Sequence, residues 1–170
     1  LSDIAGVQQA IKGGAKAGEI RDEFFGIYCR YERAILRYCA DLAPKRDWQP
    51  TVTVLWGEAG AGKTRSVYDY HNADEIYMHT GQHWFDGYNG QEIVLFDDFH
   101  GGIFRHDYFM KLIDRYPMQV PIKGGFVQWT PKVIYLTSNK DPNDWYPGVN
   151  EEQQRAMKRR FSTVTHMTRQ

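Results

Sequence analysis

Residues 51–64 read TVTVLWGEAGAGKT, a β-branched run followed at once by the pattern G-x-x-x-x-G-K-[ST]. Few folds accept that sequence. The run TVTVLW (51–56) is of strand type, and residues from about Lys63 to Tyr70 continue as helix, so the glycines lie in the turn between them. A turn of this kind curls backbone N–H groups around a phosphate, and the helix N-terminus adds a favourable dipole. The whole stretch Gly57, Glu58, Ala59, Gly60, Ala61, Gly62, Lys63 and Thr64 is expected to hold a nucleoside triphosphate. Lys63 would neutralise the β- and γ-oxygens, and Thr64 would offer its hydroxyl to Mg²⁺.

The remainder of the chain supplies what such a loop needs around it. Strands and helices alternate from Thr51 onward, which predicts an α/β domain with a parallel central sheet. Glu75–Met78 reads as a short strand, EIVLFD (92–97) and KVIYLTSN (132–139) as buried strands, and FSTVTHMT (161–168) as an edge strand. Asp107–Arg115 and residues 150–160 read as helices. Residues 1–45 differ: apolar residues from Ile20 to Leu42 recur at three- and four-residue steps, and a shorter helix covers Ile4–Ile11. We expect there a helical hairpin outside the sheet, and the α/β domain over 46–170. Pro44 ends the helical region.

Several residue sets carry candidate chemistry. Asp97 and Asp98 emerge from a buried strand in FDDFHGG (96–102), where a P-loop enzyme holds magnesium; Asp97 is assigned to the metal and Asp98 to the attacking water. Asn139 ends YLTSN, placed to hydrogen-bond a γ-phosphate or that water. Arg159 and Arg160 in KRRF offer an arginine finger from a neighbouring subunit, or else a solvated basic helix end favoured by the dipole. PIKGGFVQWTP (121–131) reads as a hairpin with Gly124-Gly125 as its two-residue loop, Lys123 at the tip, and flanking apolar residues toward a core. Lys123 would then be left as a cation at the tip of a rigid loop, its partner not given by these residues.

Other features read as structural. His79 and His83 have no nearby third ligand. Cys29 and Cys39 lie ten apart on one helix, which bars an intrahelical disulfide, and both read as buried apolar groups in reducing surroundings. The tyrosines of YCRYERAILRY fit helix core positions. No run reaches the roughly 20 apolar residues needed to span a bilayer. Net charge is zero, and residues 51–150 hold 8 Lys+Arg against 12 Asp+Glu. Any nucleic-acid contact therefore comes from a few placed lysines repeated by symmetry rather than from a basic face. The chain begins at Leu1, which suggests a piece of a longer polypeptide.

Taken in order, RDW (46–48), GEAGAGKT, WFDGYNGQE (84–92), VLFDDFHG (94–101), DRYPMQVPIKGG (114–125) and LTSN (136–139) resemble superfamily 3 helicases. More narrowly, they resemble the replication-associated (Rep) proteins of circoviruses and related small circular single-stranded DNA viruses. The resemblance covers most of residues 46–145. It implies an AAA+-like P-loop ATPase that assembles as a hexameric ring through its preceding helices and moves along single-stranded DNA in rolling-circle replication. It also implies that the hairpin carrying Lys123, Gly124 and Gly125 grips the sugar-phosphate backbone of DNA in the channel, along with 3′-to-5′ movement and work in a host nucleus. Family members carry an upstream nicking endonuclease with paired histidines and a Tyr-x-x-Lys motif; neither is expected in this chain. Asp98 stands where many P-loop hydrolases have glutamate. Two other readings stay open: a P-loop kinase, for which only Arg65 lies between the phosphate loop and Asp97, and an assembly module whose nucleotide site governs oligomerisation.

Overall fold

The computed structural model describes residues 2–170, with side-chain burial described from residue 3. Three helices come first, α1 (Ser2–Lys12), α2 (Ala17–Glu23) and α3 (Phe25–Leu42). The long helix expected from Glu19 to Leu42 is broken at Phe24 and kinked at Tyr31, where φ is −124° and ψ 25°. A continuous apolar stripe does not record either interruption, because side chains on both sides of the break still face one interior. That interior is a small core of Val7, Ile11, Ile20 and Ile35. The two cysteines depart from expectation: Cys29 is exposed and Cys39 half-buried. Of the tyrosines, Tyr31 is exposed.

The second layer is a five-stranded, wholly parallel sheet in the order β2-β3-β6-β1-β7. Its strands are β1 (Thr51–Gly57), β2 (Ile76–His79), β3 (Ile93–Phe96), β6 (Val133–Ser138) and β7 (Thr163–Met167). Helices α4 (Lys63–Tyr70), α5 (His106–Leu112) and α6 (Glu151–Arg160) lie in the crossovers from β1 to β2, β3 to β6 and β6 to β7, while residues 80–92 join β2 to β3 without a helix. The α/β fold with a parallel sheet, including β7 at its edge, is thus as the sequence predicts. Val52 and Val54 of β1, Val94 and Leu95 of β3, and Ile134 and Leu136 of β6 are fully buried. Adjacent Val94 and Leu95 bury both faces of β3, which accordingly reads as a continuous apolar run, whereas the buried valines of β1 alternate along one face.

A separate two-stranded hairpin joins β4 (Gln119–Ile122) to β5 (Gly125–Gln128). Ile122 pairs with Gly125, so the turn is Lys123-Gly124 rather than Gly124-Gly125, and Gly124 alone takes the left-handed conformation, at φ 95°. The lysine is therefore in the turn itself. Trp129, beyond β5, is fully buried and donates through Nε1 to Leu112 O at 2.9 Å, while Phe126 is exposed rather than in the core. The hairpin is braced from several sides, Phe85 N donating to Pro121 O of β4 at 2.8 Å. Lys123 N donates to Asp86 Oδ1 at 2.7 Å, and Gln128 Nε2 donates to Ala40 O of α3 at 3.0 Å.

Arg46 ties these layers together. Its buried guanidinium donates to the carbonyls of Lys111, Leu112 and Tyr116 at 2.7, 2.7 and 2.9 Å. Two of these are the last carbonyls of α5, which no helical N–H can reach. Burial pulls the guanidinium pKa down to about 10, so the cation persists at neutral pH.

Candidate functional site

Parallel strands present all their carboxyl ends at one edge, and there β1, β6 and β3 are adjacent. That edge brings together Gly57, Ser138 and Phe96, and hence the phosphate loop, Asn139 and Asp97. Gly57 sits at φ 149° beside β7; a Cβ on it would stand 2.0 Å from Met167 O, so only glycine fits. The loop then opens directly into α4 at Lys63, as the sequence requires.

The site is pre-assembled by hydrogen bonds. Lys63 is buried, and its Nζ donates to Gly57 O, Glu58 O and Asn139 Oδ1 at 2.9, 2.8 and 3.1 Å. An ammonium in that cradle has only carbonyl-type partners and no carboxylate, which leaves its charge for an incoming anion. Thr64 Oγ1 donates to Asp97 Oδ1 at 2.6 Å, and the same oxygen accepts from Thr137 Oγ1 at 2.9 Å. Oδ2 of Asp97 has no protein donor among the described residues. A free carboxylate oxygen beside a threonine hydroxyl at a helix N-terminus suits a hard divalent cation such as Mg²⁺. Asp98 is the one non-glycine among the described residues with positive φ, at 50°, and its N–H donates to Thr137 Oγ1 at 3.1 Å. Asp and Asn tolerate that conformation better than other residues. Here it turns the chain sharply after β3, with Asp98 exposed at the open side of the edge.

Thr137 is the residue that sequence reasoning missed. It is fully buried and joins both aspartates, although it stands in the same YLTSN that gave Asn139. The two arginines part company. Arg160 donates to Asp114 Oδ2 at 3.1 Å and to Ala156 O at 3.0 Å, an ion pair with both partners largely buried. Arg159 is exposed and makes no hydrogen bond or ion pair among the described residues.

His79 is buried against Phe85, Phe96 and Phe104. Its Nε2 has no partner, and burial lowers its pKa to about 4, so the ring is neutral. Among the described residues no cluster of His, Cys, Asp and Glu is arranged to hold a metal through three such side chains. The spacing Tyr-x-x-Lys does occur, contrary to expectation, at Tyr108–Lys111. It lies in α5 with the tyrosine hydroxyl buried and unpartnered, an unsuitable setting for a nucleophile that must meet DNA. No described helix is long and apolar enough to cross a membrane.

A parallel sheet with a glycine-rich loop after β1, an aspartate after β3 and an asparagine after β6 defines a P-loop NTPase fold of the superfamily 3 helicase kind. A family model described as RNA helicase matches residues 53–140, just over half of the chain, and the chain belongs to that family. It is 38% identical over 146 residues to a replication-associated protein of Canary circovirus, covering 85% of this chain and 49% of that protein. A replication-associated protein of Pigeon circovirus is 38% identical over 147 residues, covering 85% and 45%. One from Human associated cyclovirus 1 is 36% identical over 153 residues, covering 85% and 54%. The chain thus spans about half the length of the curated relatives it matches. The resemblance to Rep-type helicase domains is borne out.

Proposed function

We propose that this domain is an ATP-driven helicase that moves along single-stranded DNA in viral rolling-circle replication. The observation that carries the reading is the pair of bonds linking Thr64 to Asp97 and Lys63 to Asn139, which draws three separate segments into one phosphate-binding edge. The N–H groups of residues 59–64 and the Lys63 ammonium bind the triphosphate. Thr64 and Asp97 would hold Mg²⁺, which would supply positive charge to offset that of the triphosphate. Asp98 orients the attacking water by accepting its hydrogen, and Asn139 holds the γ-phosphate side of the site. Arg159, the unpaired member of its pair, supplies the finger to a neighbouring subunit.

In this reading residues 1–45 form the oligomerisation region, residues 46–170 form the ATPase domain, and the assembly is a hexameric ring. Lys123 meets the sugar-phosphate backbone with Gly124 and Gly125 forming the narrow tip. An endonuclease unit of the same polypeptide lies upstream, and replication proceeds in a host nucleus. The bond from α3 to Gln128 supports mechanical coupling between the helical layer and the hairpin. The test is oligonucleotide binding at low salt with single-stranded DNA and RNA arms, followed by duplex unwinding. Lys123→Ala is expected to weaken DNA binding and stop unwinding while leaving DNA-free ATP hydrolysis near wild type. Unchanged DNA affinity in Lys123→Ala would remove the hairpin from the reading, and preference for RNA would replace the substrate.

A further inference from the structure

Arg169, two residues beyond β7, belongs to no sequence motif, yet it touches the phosphate loop. Its backbone N–H donates to Glu58 Oε1 at 3.1 Å, and its Nε donates to Ala59 O at 2.8 Å. A Cβ built on Gly60 would stand 3.2 Å from Nε and 3.3 Å from Nη2. The loop's fourth position is bare where the guanidinium lies. Sheet register delivers the tail to this point, since β7 runs parallel to β1 with Met167 opposite Gly57, and Trp56 stacks on His166 with ring centroids 3.9 Å apart.

Lys63 Nζ sits on the carbonyls of Gly57 and Glu58. Arg169 sits on Glu58 and Ala59, one residue along the same loop. The two cations therefore flank the segment from Gly57 to Ala59 from different elements. A guanidinium has five N–H donors in a planar fork. Arg169 uses only Nε; Nη1 and Nη2 make no hydrogen bond among the described residues, and the residue is exposed. A loop brace would need no more than that one bond. An exposed fork held by its base beside a phosphate loop is a phosphate-reading arrangement.

We propose that Arg169 acts in cis as a catalytic residue, its terminal amino groups binding γ-phosphoryl oxygens of the nucleotide in its own subunit's loop; this rests on the ATP-hydrolysis reading above. During hydrolysis the water oxygen bonds to Pγ as the bond from Pγ to the β,γ-bridging oxygen breaks. The electron pair leaves with ADP, and the water proton passes to solvent, giving ADP, phosphate and H⁺. Arg169 stabilises the charge that shifts onto the phosphoryl and bridging oxygens in that passage. It thereby takes a role distinct from that of Arg159, which lies at the end of α6.

Steady-state ATP hydrolysis by wild type, Arg169→Ala and Arg169→Lys tests this, together with equimolar mixtures of Arg169→Ala and Lys63→Ala subunits. Arg169→Ala should lower kcat about 100-fold, the scale of one lost transition-state donor, with KM within about 2-fold of wild type. Arg169→Lys should recover only part of kcat, because an ammonium cannot supply the bidentate fork. The mixture should stay inactive, since a cis residue cannot serve a neighbour's site. A rise in KM with kcat unchanged would overturn the proposal and make Arg169 a loop brace. Recovery in the mixture would overturn the cis assignment, and wild-type kinetics in Arg169→Ala would remove the residue from the site. A wild-type protein without ATPase activity would instead sink the underlying reading, and the inference with it.

Discussion

Replacing Arg46 with methionine should be among the most damaging single changes in this fold. Methionine keeps most of the apolar stem but removes three charge-assisted hydrogen bonds of 2.7, 2.7 and 2.9 Å. Each bond of this type contributes roughly 1.5–3 kcal/mol net; of the carbonyls left behind, Leu112 O keeps Trp129 Nε1 and Lys111 O keeps Asp114 N, while Tyr116 O loses its donor. Against that loss stands relief of the guanidinium's own desolvation, several kcal/mol. The balance is a destabilisation of about 3–5 kcal/mol. With a urea slope of about 2 kcal/mol/M, the unfolding midpoint should fall by about 2 M. Arg46→Lys should fall between, because one ammonium cannot span carbonyls arranged for a fork. Leu112 O accepts from both Arg46 Nη1 and Trp129 Nε1, so Arg46→Met and Trp129→Phe should be non-additive by more than about 0.5 kcal/mol. Urea titration followed by tryptophan fluorescence measures all of these. A loss below about 1 kcal/mol in Arg46→Met, or an Arg46→Lys variant as stable as wild type, would show that the guanidinium does not hold these layers together.

Three other outcomes follow from named groups. His79 has a folded pKa near 4, below its unfolded value of 6.5 because of burial. The unfolded chain therefore binds the extra proton between those values, and stability should fall as pH drops through that window, by up to about 3 kcal/mol; urea titrations at pH 7 and pH 4.5 should show a flatter dependence in His79→Phe. Asp86 accepts the Lys123 N–H, so Asp86→Ala should weaken single-stranded DNA binding in a fluorescence anisotropy titration. Asp86→Asn, which keeps an acceptor and loses a negative charge near the phosphates, should bind at least as tightly as wild type. Gly57→Ala should abolish nucleotide binding in a calorimetric titration, because the added carbon would meet Met167 O at 2.0 Å.

Legibility in the sequence followed the range of the interaction. The phosphate loop reads directly because its chemistry lies within eight consecutive residues and its strand and helix flank it. Asp97 and Asn139 read next, since a polar residue ending a buried strand has few places to be. Thr137 did not, because a threonine inside a strand looks like β-propensity until the register sets it beside Asp97. Arg46 stood in the RDW (46–48) that carries the resemblance, but its role was no more legible than Arg169's: each acts on backbone carbonyls, and a carbonyl carries no sequence signature. The break at Phe24 left the apolar spacing of the helices intact. Phe126 was misplaced because alternation shows which side chains share a face, not which face is covered.

The proposed helicase activity stands or falls with ATP hydrolysis at the edge joining Lys63, Asn139, Thr64 and Asp97. Phosphate release by wild type and Lys63→Ala, both shown folded by circular dichroism, tests it most directly. Wild type should turn over steadily, stimulated by single-stranded DNA, and Lys63→Ala should show background release with or without that DNA. Turnover by Lys63→Ala at the wild-type rate would contradict it.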